Sequence, residues 1–310
     1  MTAQLRMCTE VPLSRDLHVM KTLREKSISK AHFERLKAAF YTQKMWQKDS
    51  VITYSFVSSP DMVNWTPIYV MQLHNNLIDP IEEAIRHLSP IDAINKIIKD
   101  RIQPMTNLKF KQLDQGGNVR IGFDPYGGCW SLIGKDCISS NEETTMNFGW
   151  LDGATIMHEF LHVLGLIHEH QNPEGKGIEW NEPKVYEWAK QTQGWDHETT
   201  YHNIIEKYQA NQINGSEYDP KSIMLYFFPA SLTLNNKGTN QNNVLSITDI
   251  TYTMKNYPGS AYKPDRFFKL TREELNQSRI NILKYIAIIL IVTIIAYIFV
   301  HLFYSRQRIK

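Results

Sequence analysis

Residues 158–170 read HEFLHVLGLIHEH, four histidines and two glutamates in a frame of Phe, Leu, Val and Ile. Titratable side chains at that density in an apolar helical stretch need a chemical reason. His158 and His162 are four residues apart, so on a helix of about 3.6 residues per turn they stand one above the other on one face. Two imidazole nitrogens so placed can converge on one ion at zinc-ligand distance. Glu159 lies one step round the helix, where it can reach a water on the ion without ligating the ion itself. Gly165 suits the left-handed position that ends a helix, and the turn there can bring back a third ligand, His168. Three histidines leave one tetrahedral position open for water, the mark of a catalytic rather than structural zinc site. Such an ion lowers the pKa of its water to about neutral, and Glu159 can take the proton. A bare H-E-x-x-H arises readily by chance; the full H-E-x-x-H-x-x-G-x-x-H is far more specific. Glu169 and His170 are expected on an exposed segment or in contacts behind the ligands.

The elements that must position these residues can be read on either side. Residues 50–58 (SVITYSFVS) read as a strand from their β-branched and aromatic content. Residues 79–103 read as helix, with Asp79 placed to cap, Pro80 in the first turn and Pro90 breaking or kinking it. Two more strands follow, 108–113 (LKFKQL) and 118–123 (NVRIGF), joined by Gly116-Gly117. A Gly-rich loop carries Cys129 and Trp130, and the motif helix is expected from about Asp152 to Gly165. This predicts an N-terminal helical segment (1–44), one α+β domain (45–258), a juxtamembrane linker (259–283), a transmembrane helix (284–304) and a short basic tail (305–310).

The chain has 310 residues, 42% of them hydrophobic, enough for a substantial core. A net charge of +2, with no basic stripe among aromatics, gives no reason to expect nucleic acid. Three cysteines, Cys8, Cys129 and Cys137, are too few for a disulfide scaffold. Cys129 and Cys137 can pair across a short loop in an oxidising compartment, or stay free in a reducing one. The N-terminus has no apolar stretch of signal-peptide length. Residues 285–303 (YIAIILIVTIIAYIFVHLF) carry no charge, and about 20 apolar residues cross a hydrocarbon core of about 30 Å. Three basic residues flank the run on each side, so the positive-inside rule does not orient it. The expectation is a single-pass protein with a C-terminal tail anchor in a lipid membrane, its bulk cytosolic or on a virion membrane.

With the three-histidine motif in place, YDPKSIMLY at 218–226 resembles the methionine turn of the metzincin zinc peptidases in its astacin-type form. FDPYGGCWSLIGKD, TMNFGWL, HEHQNPEGKGIEWNEPKVYEW and YFFPASLTLNNKG are similar to astacin-like peptidases of bacteria and fungi, a likeness covering about residues 45–258. The resemblance implies a two-lobed α+β fold: a twisted, mostly parallel sheet with an antiparallel edge strand above the active-site helix. That edge strand would lie near 118–123 or just after, and an extended peptide substrate would add to it. Met224 would sit under the metal, and Tyr226 would stabilise the oxyanion. In secreted astacins the glutamate at the Glu169 position contacts a processed N-terminus, and Leu225 stands where astacins often have histidine. Cys8 could cap the zinc, as in cysteine-switch pro-segments, or be structural. The implied function is a membrane-anchored zinc endopeptidase that hydrolyses peptide bonds with one Zn2+ ion, held by His158, His162 and His168, and Glu159 as base. The alternative is a catalytically silent zinc-binding envelope or adhesion protein, which has no need of Glu159.

Overall fold

The structure, a computed structural model, describes residues 9–10, 44–66, 78–79, 81–173, 178–208 and 218–258. Its frame is a six-stranded sheet: β1 (Thr9–Glu10), β2 (Val51–Phe56), β3 (Lys109–Gln112), β4 (Val119–Gly122), β5 (Cys129–Ser131) and β6 (Met146–Phe148), in the order β1-β5-β6-β4-β2-β3. Every pairing is parallel except that of β5 with β6. The apolar, interior strands β2 and β4 have neighbours on both sides, as buried parallel strands do. The outermost strand, β3, reads KFKQ and leaves both lysines exposed, which blunts an edge against further pairing.

Helix α1 (Ile81–Ile85) begins where Asp79 accepts the Ile81 N–H at 2.8 Å. Asp79 also holds the Arg101 guanidinium at 2.7 Å in a buried ion pair. The helix expected over 79–103, with Pro90 breaking or kinking it, is divided there into two. Ser89 caps a second start by accepting the Asp92 N–H, and Pro90 takes the first position of α2 (Pro90–Ile97), where its missing N–H costs nothing. Ala93, Ile94 and Ile97 form the buried stripe of α2, which continues through a wide turn over Ile98–Ile102. After a short α3 (Asp136–Ser139) comes α4 (Gly153–Val163), packed against β5 and α2 with ten of its eleven residues buried. The remaining elements are α5 (Glu182–Gln193), α6 (His197–Thr200) and α7 (Ile247–Asn256).

Two expectations are corrected. The antiparallel strand, expected near 118–123 or just after, is the strand just after, β5, while 118–123 lies inside the sheet between β2 and β6. The outer edge of β5 is not open, since Thr9–Glu10 pairs with Trp130 and Ser131 there in parallel.

The second correction concerns the membrane. Among the described residues no helix is long and apolar enough to cross one. The expected C-terminal tail anchor, the lipid-membrane partner and the cytosolic or virion-membrane placement built on it are therefore withdrawn. Hydropathy over about 20 residues shows only that a stretch is long enough to span. A span also needs one continuous helix, and α5, the longest described, has 12 residues. The run at 284–304 itself, its linker and the basic tail lie outside the described residues, as do Cys8 and most of the segment 1–44. Cys129 and Cys137 are free and buried, their thiols directed to the carbonyls of Trp150 and Leu132 respectively.

Candidate active site

Helix α4 is held at both ends. At its start the Asp152 side chain accepts the Thr155 N–H at 2.7 Å, an N-cap. Glu82, from α1, accepts the Gly153 N–H at 2.7 Å. A Cβ at Gly153 would overlap that carboxylate, so a larger residue would push Glu82 away from this N–H. Burial, then the charges of Asp152 and Asp79, push Glu82 up to about 8, against the lowering effect of the Gly153 N–H. At its end Gly165 has φ 101°, the Gly165 N–H donates to the His162 carbonyl at 2.8 Å and the Leu166 N–H to the Leu161 carbonyl at 3.0 Å. This is the paired-bond helix stop that places a glycine in left-handed space. Trp46 Nε1 and the Tyr257 hydroxyl donate to the last carbonyls, those of Val163 and Leu164, both at 2.6 Å.

The stop turns the chain so that His168 meets the two helix histidines. One nitrogen from each of His158, His162 and His168 lies within 4.8 Å of the others, and all three rings are buried. His162 Nε2 and His168 Nε2 are 3.1 Å apart. The tautomers follow from the partners. His158 Nδ1 lies 2.9 Å from the Ile223 carbonyl and His162 Nδ1 lies 2.9 Å from the Leu166 carbonyl. Carbonyls only accept, so Nδ1 carries the proton in both and each Nε2 presents a lone pair. His158 Nε2 is buried with no hydrogen-bond partner, which a polar atom tolerates poorly unless something else fills its coordination. Burial lowers His158 to about 4 and takes His162 and His168 well below the ordinary histidine value. All three are neutral at physiological pH, the state a metal needs. The residues present therefore fit a zinc ion.

Glu159 shares α4 and is fully buried. Burial, then the charge of Glu159, holds the Cys129 thiol well above its ordinary range. Tyr226 brings its hydroxyl within 2.6 Å of His168 Nε2, with the two rings 4.2 Å apart. Met224 is buried, and its carbonyl accepts the Glu169 N–H at 3.0 Å. Of the two places expected for Glu169 and His170, the structure shows contacts behind the ligands and not an exposed segment. Glu169 accepts the Asp219 N–H at 2.7 Å, and His170 is buried with Nε2 on the Asn203 carbonyl at 2.8 Å, its ring packed on Tyr226 and Phe228. Two residues that the sequence reading passed over also reach the site, Asp249 and Tyr257. The S-x-x-D of Ser246–Asp249 marks a helix start in sequence, but nothing local tells where its carboxylate points.

The family model for Astacin, a peptidase family, matches residues 89–242, a stretch holding the three histidines, Glu159, Met224 and Tyr226. That stretch, just under half of the chain, is similar to an astacin-family domain. It is similar to zinc metalloproteinase nas-13 of Caenorhabditis elegans, at 26% identity over 136 residues, 43% of this chain and 27% of that protein. It is similar to meprin A subunit alpha of Mus musculus, at 31% identity over 115 residues, 36% of this chain and 14% of that protein. The matches thus span about a quarter or less of those relatives' lengths. Among solved structures myroilysin superposes with a TM-score of 0.53 at 29% identity, over 70% of this chain and 97% of myroilysin. The fold is α+β, and the histidine triad is placed to bind a zinc ion.

Proposed function

We propose that the chain is a zinc-dependent endopeptidase acting on protein or peptide substrates, with residues 45–258 as its catalytic domain. The observation that carries this is the convergence of three neutral, buried imidazoles on the helix that also bears Glu159. His158, His162 and His168 would hold the ion. When bound, zinc acts as a Lewis acid, making water acidic near neutral pH and polarising a carbonyl. Glu159 accepts the proton from the attacking water and passes it to the leaving amine. The Tyr226 hydroxyl, beside His168, donates to the oxyanion that develops as the carbonyl carbon becomes tetrahedral. Retention of a buried carboxylate next to the triad favours this reading over a silent binding protein, which would bear the cost of burying Glu159 for no return.

A substrate that adds a strand to the sheet would seek β5, and Thr9–Glu10 already pairs there. Binding along that edge therefore requires this segment to leave. The test of the reading is Glu159→Gln. Cleavage of casein should fall by roughly 10²–10⁴-fold while zinc content stays at one ion per chain. A variant that digests as fast as the parent would remove Glu159 from the mechanism.

A further inference from the structure

His158 and His162 sit one turn apart, yet their Nδ1 protons are received very differently. The His162 acceptor, Leu166, is in the turn that follows its own helix. The His158 acceptor is the Ile223 carbonyl, 65 residues away, and that carbonyl starts a chain. The same peptide unit continues as the Met224 N–H, which donates to Ser222 Oγ at 3.0 Å. The Ser222 hydroxyl donates to Asp249 Oδ1 at 2.5 Å. Asp249 Oδ2 then accepts the Ile223 and Ser246 N–H groups, each at 2.9 Å. Asp249 is 4% exposed and lies beyond the stretch that the family model matches.

Each donor along this path faces the same way, from imidazole N–H to carbonyl, amide N–H to hydroxyl, and hydroxyl to carboxylate. Hydrogen bonds aligned head to tail polarise one another, and the low dielectric of a buried site strengthens each. A carboxylate at the far end of such a chain draws the Nδ1 proton outward and leaves Nε2 a stronger donor. Metal-binding histidines commonly obtain this from a carboxylate in direct contact. Here a peptide unit and a serine stand between. We propose that Asp249 is a positioning residue that sets the orientation and basicity of His158 through Ser222 and the Ile223–Met224 peptide. The inference rests on the reading of the triad as a zinc site, and it adds how one of the three ligands is tuned.

The test uses the full chain and measures zinc affinity by chelator competition, with parent, Asp249→Asn, Ser222→Ala and the double variant side by side. Asn at 249 keeps the shape and one acceptor oxygen but removes the charge. Each single variant should weaken zinc about tenfold, the magnitude typical when a ligand loses its outer partner. Because both act on one chain, the double variant should be no worse than about twofold beyond either single one. In cobalt-substituted protein the visible d–d bands should shift in both singles, a change that a loss of stability alone would not produce. Single variants within twofold of the parent, or effects that multiply in the double, overturn the proposal. If Asp249→Asn fails to fold, Ser222→Ala decides by the same twofold line. A parent that takes up no zinc would overturn the triad reading itself, an outcome distinct from parent binding with no loss in the variants.

Discussion

The described part of the chain divides by how its site residues reach the metal position. In one region, residues 152–168, almost everything is settled within a few residues: the Asp152 cap, the four-residue spacing of His158 and His162, the Gly165 stop and the Leu166 carbonyl that orients His162. In the other, residues 218–257, each contribution crosses a long stretch of chain. The Ile223 carbonyl reaches back 65 residues to His158, Tyr226 reaches 58 to His168, and the Tyr257 hydroxyl reaches 93 to Leu164. The first region makes ligands and the second aims them. A helix alone can stack two imidazoles, but each ring still turns about its own bonds until something receives its second nitrogen.

The second region is tested most directly at Tyr226. Tyr226→Phe keeps the ring and its packing on His168 and His170 but deletes the hydroxyl. We expect kcat to fall by roughly 10²-fold, the order seen when an oxyanion donor is removed, with zinc affinity and KM nearly unchanged. Full activity in that variant would reduce the second region to a scaffold. The first region is probed by Gly165→Ala. The nearest atoms to a Cβ there, Met45 Cγ and the Tyr257 hydroxyl, are both 3.9 Å away, so space is not the obstacle. The left-handed backbone is, and denaturant unfolding should show a loss of about 1–2 kcal/mol. A larger loss would mean that the stop depends on packing as well as on conformation.

The smallest expected effect asks how local the first region is, since Glu82 comes from α1, seventy-one residues before the Gly153 that it holds. Burial raises its folded pKa from an ordinary 4.5 to about 8, so the folded state favours the protonated acid. Stability attributable to Glu82 is therefore full at acid pH and declines as pH rises between these two values. Glu82→Gln keeps an acceptor for the Gly153 N–H and removes the titration. Its melting temperature should match the parent at pH 5 and exceed it by a few degrees at pH 8.5, as a change of about 1 kcal/mol would produce in a domain of this size. Equal melting curves at both pH values would show that the carboxylate is well solvated by its neighbours.

The interior strands, the break at Pro90 and the active-site helix with its stop were legible because each rests on contacts within about a turn or a strand. The sheet edge was not. The strand at 118–123 has the apolar alternation of an edge or an interior strand alike, and only the pairing shows β5 to be antiparallel and covered by Thr9–Glu10. Glu169 and His170, expected on an exposed segment or in contacts behind the ligands, take the second place. Their polar types suggest solvent, but Asp219 and Asn203, brought in from distant segments, satisfy them in the interior. The expected anchor is withdrawn because no described helix is long and apolar enough to cross a membrane, and the run that suggested it lies outside the described residues.

What the amino-acid order determined by itself is the donor set. Residue type and a spacing of four on a 3.6-residue helix, followed by glycine, dictate which nitrogens can meet, because those geometries are local. What only the tertiary structure decided is how the donors are oriented and charged: which carbonyl receives His158, that Ser222 and Asp249 stand behind it, and that burial keeps all three imidazoles neutral. Those depend on groups far apart in sequence being pressed together out of water, and no local pattern encodes which groups those will be.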